Sequence, residues 1–307
     1  MRRFLLAIAL MMLSASLFAQ DAPPDNTHGV MVRVAQIYVS PDAGSAKLGE
    51  VTRGREVVVR GQSKGWLQVT AYFPPQKEIA GWIVDKGVIR PNTPDGDRIA
   101  FGEATASELI ASQRGGRKGA ADDARRLYYR VYEFFPKSKL AGEALYRAAD
   151  IQWQIEAGDL RARPRRDPNL RDDIDDTWMK LVMKKFPGTK WADLAAYHLL
   201  DNKTCGNWDD TKCPEKEAEL YEKYAVEHPG SPSAPEALYN SAYRRAVLND
   251  MYKSENKQKQ ADESKNRAKA TAQNAIAKYP DTDWAYRAQA LIYMLEQSIP
   301  IYGNAVE

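Results

Sequence analysis

The chain has 307 residues, and its 44 Lys and Arg nearly balance its 41 Asp and Glu. This balance argues against a nucleic-acid partner, because neutralising a phosphate backbone requires a surplus of basic residues. The length is sufficient for about two domains, each with its own core.

The N-terminal residues have the pattern of a secretory signal peptide. Two arginines precede an apolar run over residues 4–13, and the small residue Ala19 offers a cleavage site. The run is too short to span a bilayer core of about 30 Å. Residues 1–19 are therefore predicted to be removed during export across the inner membrane, which leaves a periplasmic protein with no integral membrane segment. Residues 20–27 are predicted to be a linker.

Residues 28–91 are predicted to form a small β-barrel. Short runs rich in Val, Ile, Tyr and Trp alternate with turn residues, as in a sheet whose strands are joined by hairpins. Closing such a sheet into a barrel protects its edge strands. The predicted strands cover residues 30–34, 37–39, 47–51, 56–60, 66–69 and 81–84.

Three segments of this module resemble a known family. Leu48-Gly-Glu-Val51, Lys64-Gly-Trp66 and Gly81-Trp-Ile83 follow the order of glycine, valine and Gly-Trp in the bacterial SH3-like domain. The resemblance implies an all-β SH3-like barrel that docks on the cell wall or on a second protein. Ile37-Tyr-Val-Ser-Pro41 departs from the family pattern, close to the surface that peptide-binding members use.

Tyr38, Trp66 and Trp82 are the candidate lining of a ligand groove on this module. Their rings offer large apolar surfaces that a ligand could cover. For the two tryptophans a structural role is the favoured interpretation: Trp66 is predicted to be a core tryptophan that follows a tight turn, and Trp82 opens the last hairpin strand. Peptidoglycan is the ligand that the family resemblance implies.

Residues 103–299 are predicted to form an all-α solenoid, after a linker over residues 92–102 and before a tail over residues 300–307. Four segments repeat the form ring-Pro-x-Ser/Thr-x-x-Ala-x-x-Ala. The proline ends one helix, the hydroxyl residue caps the next, and the alanines let a neighbouring helix approach closely. The motif residues are Pro136, Ala141, Ala144, Pro187, Ala192, Ala195, Pro229, Ala234, Ala237, Pro280, Ala285 and Ala288.

The helix before each proline is indicated by its apolar spacing. Apolar residues recur eight, five, four and one positions upstream of the proline, which places them on one helical face. This helix–turn–helix repeat resembles the tetratricopeptide proteins of the bacterial envelope, notably the outer-membrane β-barrel assembly lipoprotein and the coordinator of the Tol-Pal system. The resemblance implies protein or peptide partners. The prolines are 51, 42 and 51 residues apart, longer than the tetratricopeptide period of about 34 residues.

Cys205 and Cys213 are the two cysteines of the chain. In an exported protein, two cysteines this close between helical segments favour a local disulfide bond. A redox pair and half of a zinc site are the alternatives, but the Cys-x-x-Cys spacing typical of both is absent.

A basic run is the sharpest charge feature of the sequence. Arg161, Arg163, Arg165 and Arg166 could contact an acidic partner or anionic lipid headgroups. A solvated loop is the favoured interpretation of such a run.

The chain has three histidines, so few residues are available for acid–base catalysis or metal binding. His228 occupies the ring position of the repeat, His198 has no second ligand four residues later, and His28 lies in a linker. The sequence also lacks glycine-rich phosphate loops and common hydrolase motifs. The chain is therefore predicted to be non-enzymatic, with neither a cofactor nor a bound metal.

The predicted function is that of a scaffold or adaptor of the cell envelope. Its helical repeats would bind a protein or peptide partner, and the SH3-like module would dock on the cell wall or on another protein. The alternative is a peptidoglycan-targeting accessory of a cell-wall hydrolase, in which the barrel binds the wall and the repeats hold the enzyme.

Overall fold

The structure, a computed structural model, describes residues 25–73, 75, 77–162, 173–205 and 208–301. A curled antiparallel sheet, a half-barrel, is followed by a helical part. The multidomain prediction of an all-β unit before an all-α unit is confirmed at this level. The predicted signal peptide and three of the four basic-run arginines, Arg163, Arg165 and Arg166, lie outside the described residues.

The sheet has the strand order β3-β2-β6-β5-β4-β1-β7, and neighbouring strands pair antiparallel. Each predicted strand segment overlaps an observed strand, and the two-residue β7 was not predicted. The inward side chains form an apolar core that includes Ile37, Leu67 and Ile83. The strands are β1 (His28–Met31), β2 (Ala35–Tyr38), β3 (Lys47–Val51), β4 (Glu56–Ser63), β5 (Trp66–Phe73), β6 (Lys77–Val84) and β7 (Val88–Ile89).

The β4–β5 hairpin is longer than its sequence suggested. Its turn consists of Lys64 and Gly65, which both have positive φ, 44° and 83°. A two-residue turn of this kind matches the twist of the flanking strands. Ladder pairing therefore continues through Ser63 and Trp66, whereas the predicted strand ended at residue 60.

The helical part begins inside the predicted linker, since α1 starts at residue 96 rather than 103. The physical reason is that Ala100 and Ala104 of this segment are buried in a core that they share with α2 and the sheet. This burial stabilises a helix that the local pattern did not reveal. The helices are α1 (Gly96–Ser112), α2 (Ala120–Phe134), α3 (Ala141–Ala162), α4 (Thr177–Lys185), α5 (Lys190–His198), α6 (Lys212–Glu227), α7 (Ala234–Ser254), α8 (Gln258–Lys278) and α9 (Asp283–Glu296).

The four predicted proline turns join α2 to α3, α4 to α5, α6 to α7 and α8 to α9. At each turn the ring residue ends the first helix with nearly the same backbone, φ between −126° and −135° and ψ between 52° and 56°. Thr189 and Thr282 cap the following helices as predicted, whereas Ser138 and Ser231 accept hydrogen bonds from the residue two positions later. All eight motif alanines are buried.

The sheet and the first helices share one apolar core. Val30, Val32 and Ile89 of the sheet region pack with Ala100 of α1 and Leu127 of α2. The β unit therefore completes its packing only when the helices are present. A fragment limited to residues 28–91 would expose this apolar surface, so functional tests of the sheet require the whole chain.

Polar contacts reinforce the same junction. The guanidinium of Arg130 lies 2.9 Å from the carboxylate of Glu56. The side chain of Arg126 donates to the carbonyl of Arg53 over 3.3 Å. Beside it, the turn residue Gly54 lies directly against the backbone of α2. These contacts fix how closely the helix and the sheet approach each other.

Candidate functional site

Aromatic side chains recur at equivalent positions of the repeats. Tyr146 in α3, Tyr197 in α5 and Tyr239 in α7 each follow the first alanine of their motif by five residues. Trp191 and Trp284 immediately precede that alanine at the start of α5 and α9. All five side chains are half-buried. We call them the aromatic row.

The rings of the row meet in the same way in two repeats. Tyr146 packs on Trp191 with ring centroids 5.6 Å apart, and Tyr239 packs on Trp284 with centroids 5.4 Å apart. Between these pairs, the side-chain amide of Asn240 in α7 donates to the hydroxyl of Tyr197 in α5 over 3.0 Å. The row thus connects α3, α5, α7 and α9 in chain order.

His198 stands beside the row, in contact with groups from α3. Its Nε2 lies 3.3 Å from a carboxylate oxygen of Asp150 and 3.2 Å from the hydroxyl of Tyr146. The rings of Tyr146 and Trp153 pack on the imidazole. Burial raises the pKa of Asp150, and the nearby His198 acts against this shift.

A second carboxylate near the row is that of Glu236 in α7. Burial raises its pKa, while a hydrogen bond from Tyr197 lowers it. His198 also lowers the pKa of Glu236. The imidazole therefore favours the ionised form of carboxylates from two different helices. The sequence did not reveal that His198 has acidic neighbours, because a search for partners within one helix cannot find residues that meet only when helices pack.

We expect the buried tyrosines to make the protein sensitive to alkali. Burial raises the pKa of Tyr224 from 10.0 to about 12, and it also raises the pKa values of Tyr146 and Tyr197. Above pH 10 the unfolded chain ionises these phenols while the folded chain keeps them neutral, so the unfolding free energy falls as pH rises towards 12. Tyrosinate absorbance should rise together with loss of helical circular dichroism. Gradual ionisation of every tyrosine near pH 10 with the helices intact would contradict this expectation.

The three candidate groove residues of the sheet lie next to each other. Tyr38 is opposite Trp82 in the β2–β6 pairing, and its ring meets that of Trp66 edge-on at 5.4 Å. Both tryptophans are half-buried and lie outside the apolar core of the sheet. Strand alternation places them on the opposite face from Leu67 and Ile83, so the interpretation of Trp66 as a core tryptophan is wrong. We call the three side chains the aromatic patch.

Cys205 and Cys213 are joined in the structure, with their Cα atoms 6.1 Å apart. The backbone N–H of Cys205 donates to the buried carboxylate of Glu217 over 2.8 Å, and Arg244 pairs with the same carboxylate at 2.9 Å. Within the described residues, the donor atoms of the two cysteines and Glu217 form the one set close enough to hold a metal ion. The disulfide occupies both sulfurs, and a metal would need them as thiolates.

Loss of the disulfide should destabilise the helical part without unfolding it. Replacing Cys205 and Cys213 by serine should lower the unfolding free energy by about 2 kcal/mol, because the unfolded chain regains the freedom of the closed loop. Reductant should have the same effect on the natural protein and none on the double variant. Two free thiols in the unreduced, denatured protein would refute the bond.

The remaining candidates are placed as follows. Arg161 is exposed near the C-terminal end of α3, where a basic residue complements the helix dipole. His28 begins strand β1 and contacts Glu56, so it belongs to the sheet and not to a linker. His228 is half-buried, packs on Tyr224 and lies 2.8 Å from a carboxylate oxygen of Asp193.

Comparison with known proteins adds no identification. No protein-family model matches the chain, and no curated protein matches it either. Within the described ranges, none of the helices combines the length and the apolar character needed to cross a bilayer.

Proposed function

We propose that this chain is an exported, non-enzymatic scaffold of the cell envelope, and that its tetratricopeptide-like repeats bind a protein or peptide partner along the aromatic row. The observation that carries the proposal is that Tyr and Trp recur at equivalent repeat positions. Ring contacts join α3 to α5 and α7 to α9, and a hydrogen bond from Asn240 to Tyr197 joins α7 to α5. Partly exposed aromatic rings are favoured in protein interfaces, because each supplies a large contact area from a side chain with few rotatable bonds.

The repeat geometry supports this proposal. Four helix junctions have the same backbone conformation, and buried alanines allow close packing after each of them. Repeated junctions present equivalent side chains in register, so an extended partner segment would meet the rings one after another. The joined cysteines support export, because disulfides persist in oxidising compartments.

Photo-crosslinking in the native host tests the proposal. A photoreactive phenylalanine analogue replaces Tyr239 of the row, and the matched control carries it at the exposed Tyr286 of α9. Tyr286 lies two residues after Trp284, which places it on the far side of that helix. We expect a defined crosslinked protein from the Tyr239 variant and not from the Tyr286 variant. Equal crosslinking from both positions, or none from Tyr239, would remove the row as the partner site.

The aromatic patch supports the second candidate function, a peptidoglycan-targeting accessory of a cell-wall hydrolase. Its three rings lie together on an accessible face of the sheet. Sedimentation of the whole chain with purified peptidoglycan tests it. Trp66→Ala with Trp82→Ala should abolish retention if the patch binds the wall, whereas Tyr72→Ala, an exposed ring on the same strand as Trp66, should not. Lack of retention of the natural protein would eliminate this function.

A further inference from the structure

One carboxylate of the protein is buried directly beside the disulfide bond. The side chain of Glu217 in α6 is only 2% exposed. Glu217 follows Cys213 by four residues, so both side chains lie on one face of the helix. One oxygen of the carboxylate accepts from the backbone N–H of Cys205 over 2.8 Å and lies 3.8 Å from the sulfur of Cys213. The carboxylate therefore faces both cysteines.

The other oxygen of Glu217 is held by an arginine. The Nε of Arg244 in α7 donates to it over 2.9 Å. The guanidinium of Arg244 packs over the rings of Trp208 and Tyr221, 5.3 Å and 4.5 Å from their centroids, and it donates to the side-chain oxygen of Asn240 over 3.1 Å. Carboxylates that bind metal ions are commonly oriented by such hydrogen bonds from neighbouring groups.

We infer that Cys205, Cys213 and Glu217 form a site for a divalent metal ion of the zinc class when the disulfide bond is reduced. The donor atoms of the three residues lie within 4.8 Å of one another. Tetrahedral coordination, with Zn–S bonds of about 2.3 Å and Zn–O bonds of about 2.0 Å, places sulfur and oxygen ligands about 3.5 Å apart. The sulfur of Cys213 and the oxygen of Glu217 are already 3.8 Å apart. Within the described part of the chain the set has no fourth acidic, cysteine or histidine donor, so water supplies the fourth position.

Reduction creates the two sulfur ligands. A dithiol reductant transfers two electrons and two protons to the disulfide: the S–S bond between Cys205 and Cys213 breaks, two S–H groups form, and the reductant becomes a disulfide. Binding of the ion then displaces both thiol protons, because thiolates are the ligands. The oxidised protein offers the ion only the carboxylate of Glu217. The redox state of the cysteines therefore controls metal binding.

The charges of the site favour a divalent ion. Two thiolates, the carboxylate of Glu217 and the guanidinium of Arg244 together carry two net negative charges, which a divalent ion neutralises. A monovalent ion would leave a net charge beside a buried carboxylate, and burial of an uncompensated charge is unfavourable. Mg²⁺ and Ca²⁺ have the required charge but prefer oxygen ligands. Zn²⁺ satisfies both the charge and the sulfur ligands.

Metal titration of the purified whole chain tests the inference. The protein is reduced under anaerobic conditions, freed of reductant and titrated with Zn²⁺ in competition with a chromophoric chelator. We expect the reduced protein to bind one ion per chain, and the oxidised protein to bind at least about a hundredfold more weakly. Co²⁺ in place of Zn²⁺ should give the thiolate charge-transfer and d–d absorption of tetrahedral coordination. Zn²⁺ should raise the thermal transition of the reduced protein and not that of the oxidised protein.

Variants of α6 identify the ligands. Cys213→Ser and Glu217→Gln each remove one ligand, and each should weaken binding of Zn²⁺ to the reduced protein by about a hundredfold. The control is Glu219→Gln, which makes the same change in net charge at an exposed position of the helix and should bind Zn²⁺ as the natural protein does. If the helical circular dichroism of Glu217→Gln is reduced, Glu217→Asp replaces it, since this variant keeps the charge opposite Arg244 and shortens the reach to the ion.

Two results overturn the inference. The first is failure of the reduced natural protein to bind Zn²⁺ more tightly than the oxidised protein does. The second is equal binding of Zn²⁺ by the natural protein and the Glu217 variant, because the two thiolates alone would then account for the ion. No residue of the aromatic row belongs to this site, so neither result affects the proposed scaffold function.

Discussion

Replacing Gly54 by alanine should strongly destabilise the protein. Gly54 has φ +71°, and an added Cβ would lie 2.5 Å from the Cβ of Arg126 and 2.9 Å from the backbone nitrogen of Leu127. The backbone of α2 cannot move away without disturbing the core that the helices share with the sheet. Left-handed strain and overpacking together should cost about 3 kcal/mol of unfolding free energy.

The matched control is Gly65→Ala. Gly65 has a similar φ of +83°, but an added Cβ would meet no atom within 4 Å. The unfolding free energy of this variant should fall by only about 1 kcal/mol, the cost of the left-handed conformation. Urea unfolding followed by helical circular dichroism and tryptophan fluorescence measures both. Equal losses would show that the sheet and α2 do not approach each other as closely as the structure indicates.

Arginine at position 288 should disrupt the C-terminal helical core. Ala288 in α9 has no exposed surface and packs in the same core as Leu291. An arginine there must displace its neighbours or bury an unpaired charge, which should cost about 3 kcal/mol or more. The thermal transition of the helical signal should shift to lower temperature.

Ala290→Arg in the same helix is the control, because Ala290 is exposed and alanine and arginine have similar helix propensities. Its thermal transition should stay close to that of the natural protein. Hydrogen exchange should show faster opening of α9 in the Ala288 variant only. If the two variants melted alike, the buried alanine stripe would not be a packing surface.

Local sequence signals predicted the four helix junctions. Each junction depends on the proline after the ring residue and on the alanines that follow it. These residues act over a short segment of chain, so the junctions can be predicted locally. The strands were predicted for the same reason, since alternation and turn residues are local. The error at α1 arose because its alanines favour helix mainly through burial in the core shared with α2 and the sheet, and no local pattern shows this burial.

The candidate site depended more on tertiary structure. Tyr38, Trp66 and Trp82 were identified from the sequence, but only strand pairing shows that they lie together outside the core. The contact between His198 and Asp150 joins residues of α5 and α3. Their proximity follows from how two helices pack, not from any spacing within one of them.

The sequence by itself determined that strands precede helices in this chain, where the four proline junctions lie and which motif alanines are buried. These properties follow from backbone restrictions and side-chain periodicity over a few residues. Only the tertiary structure decided that the β and α units share a core and that aromatic rings at equivalent positions of four helices form one row. Those features depend on distances between residues far apart in the chain, and these are set by the packing of whole elements.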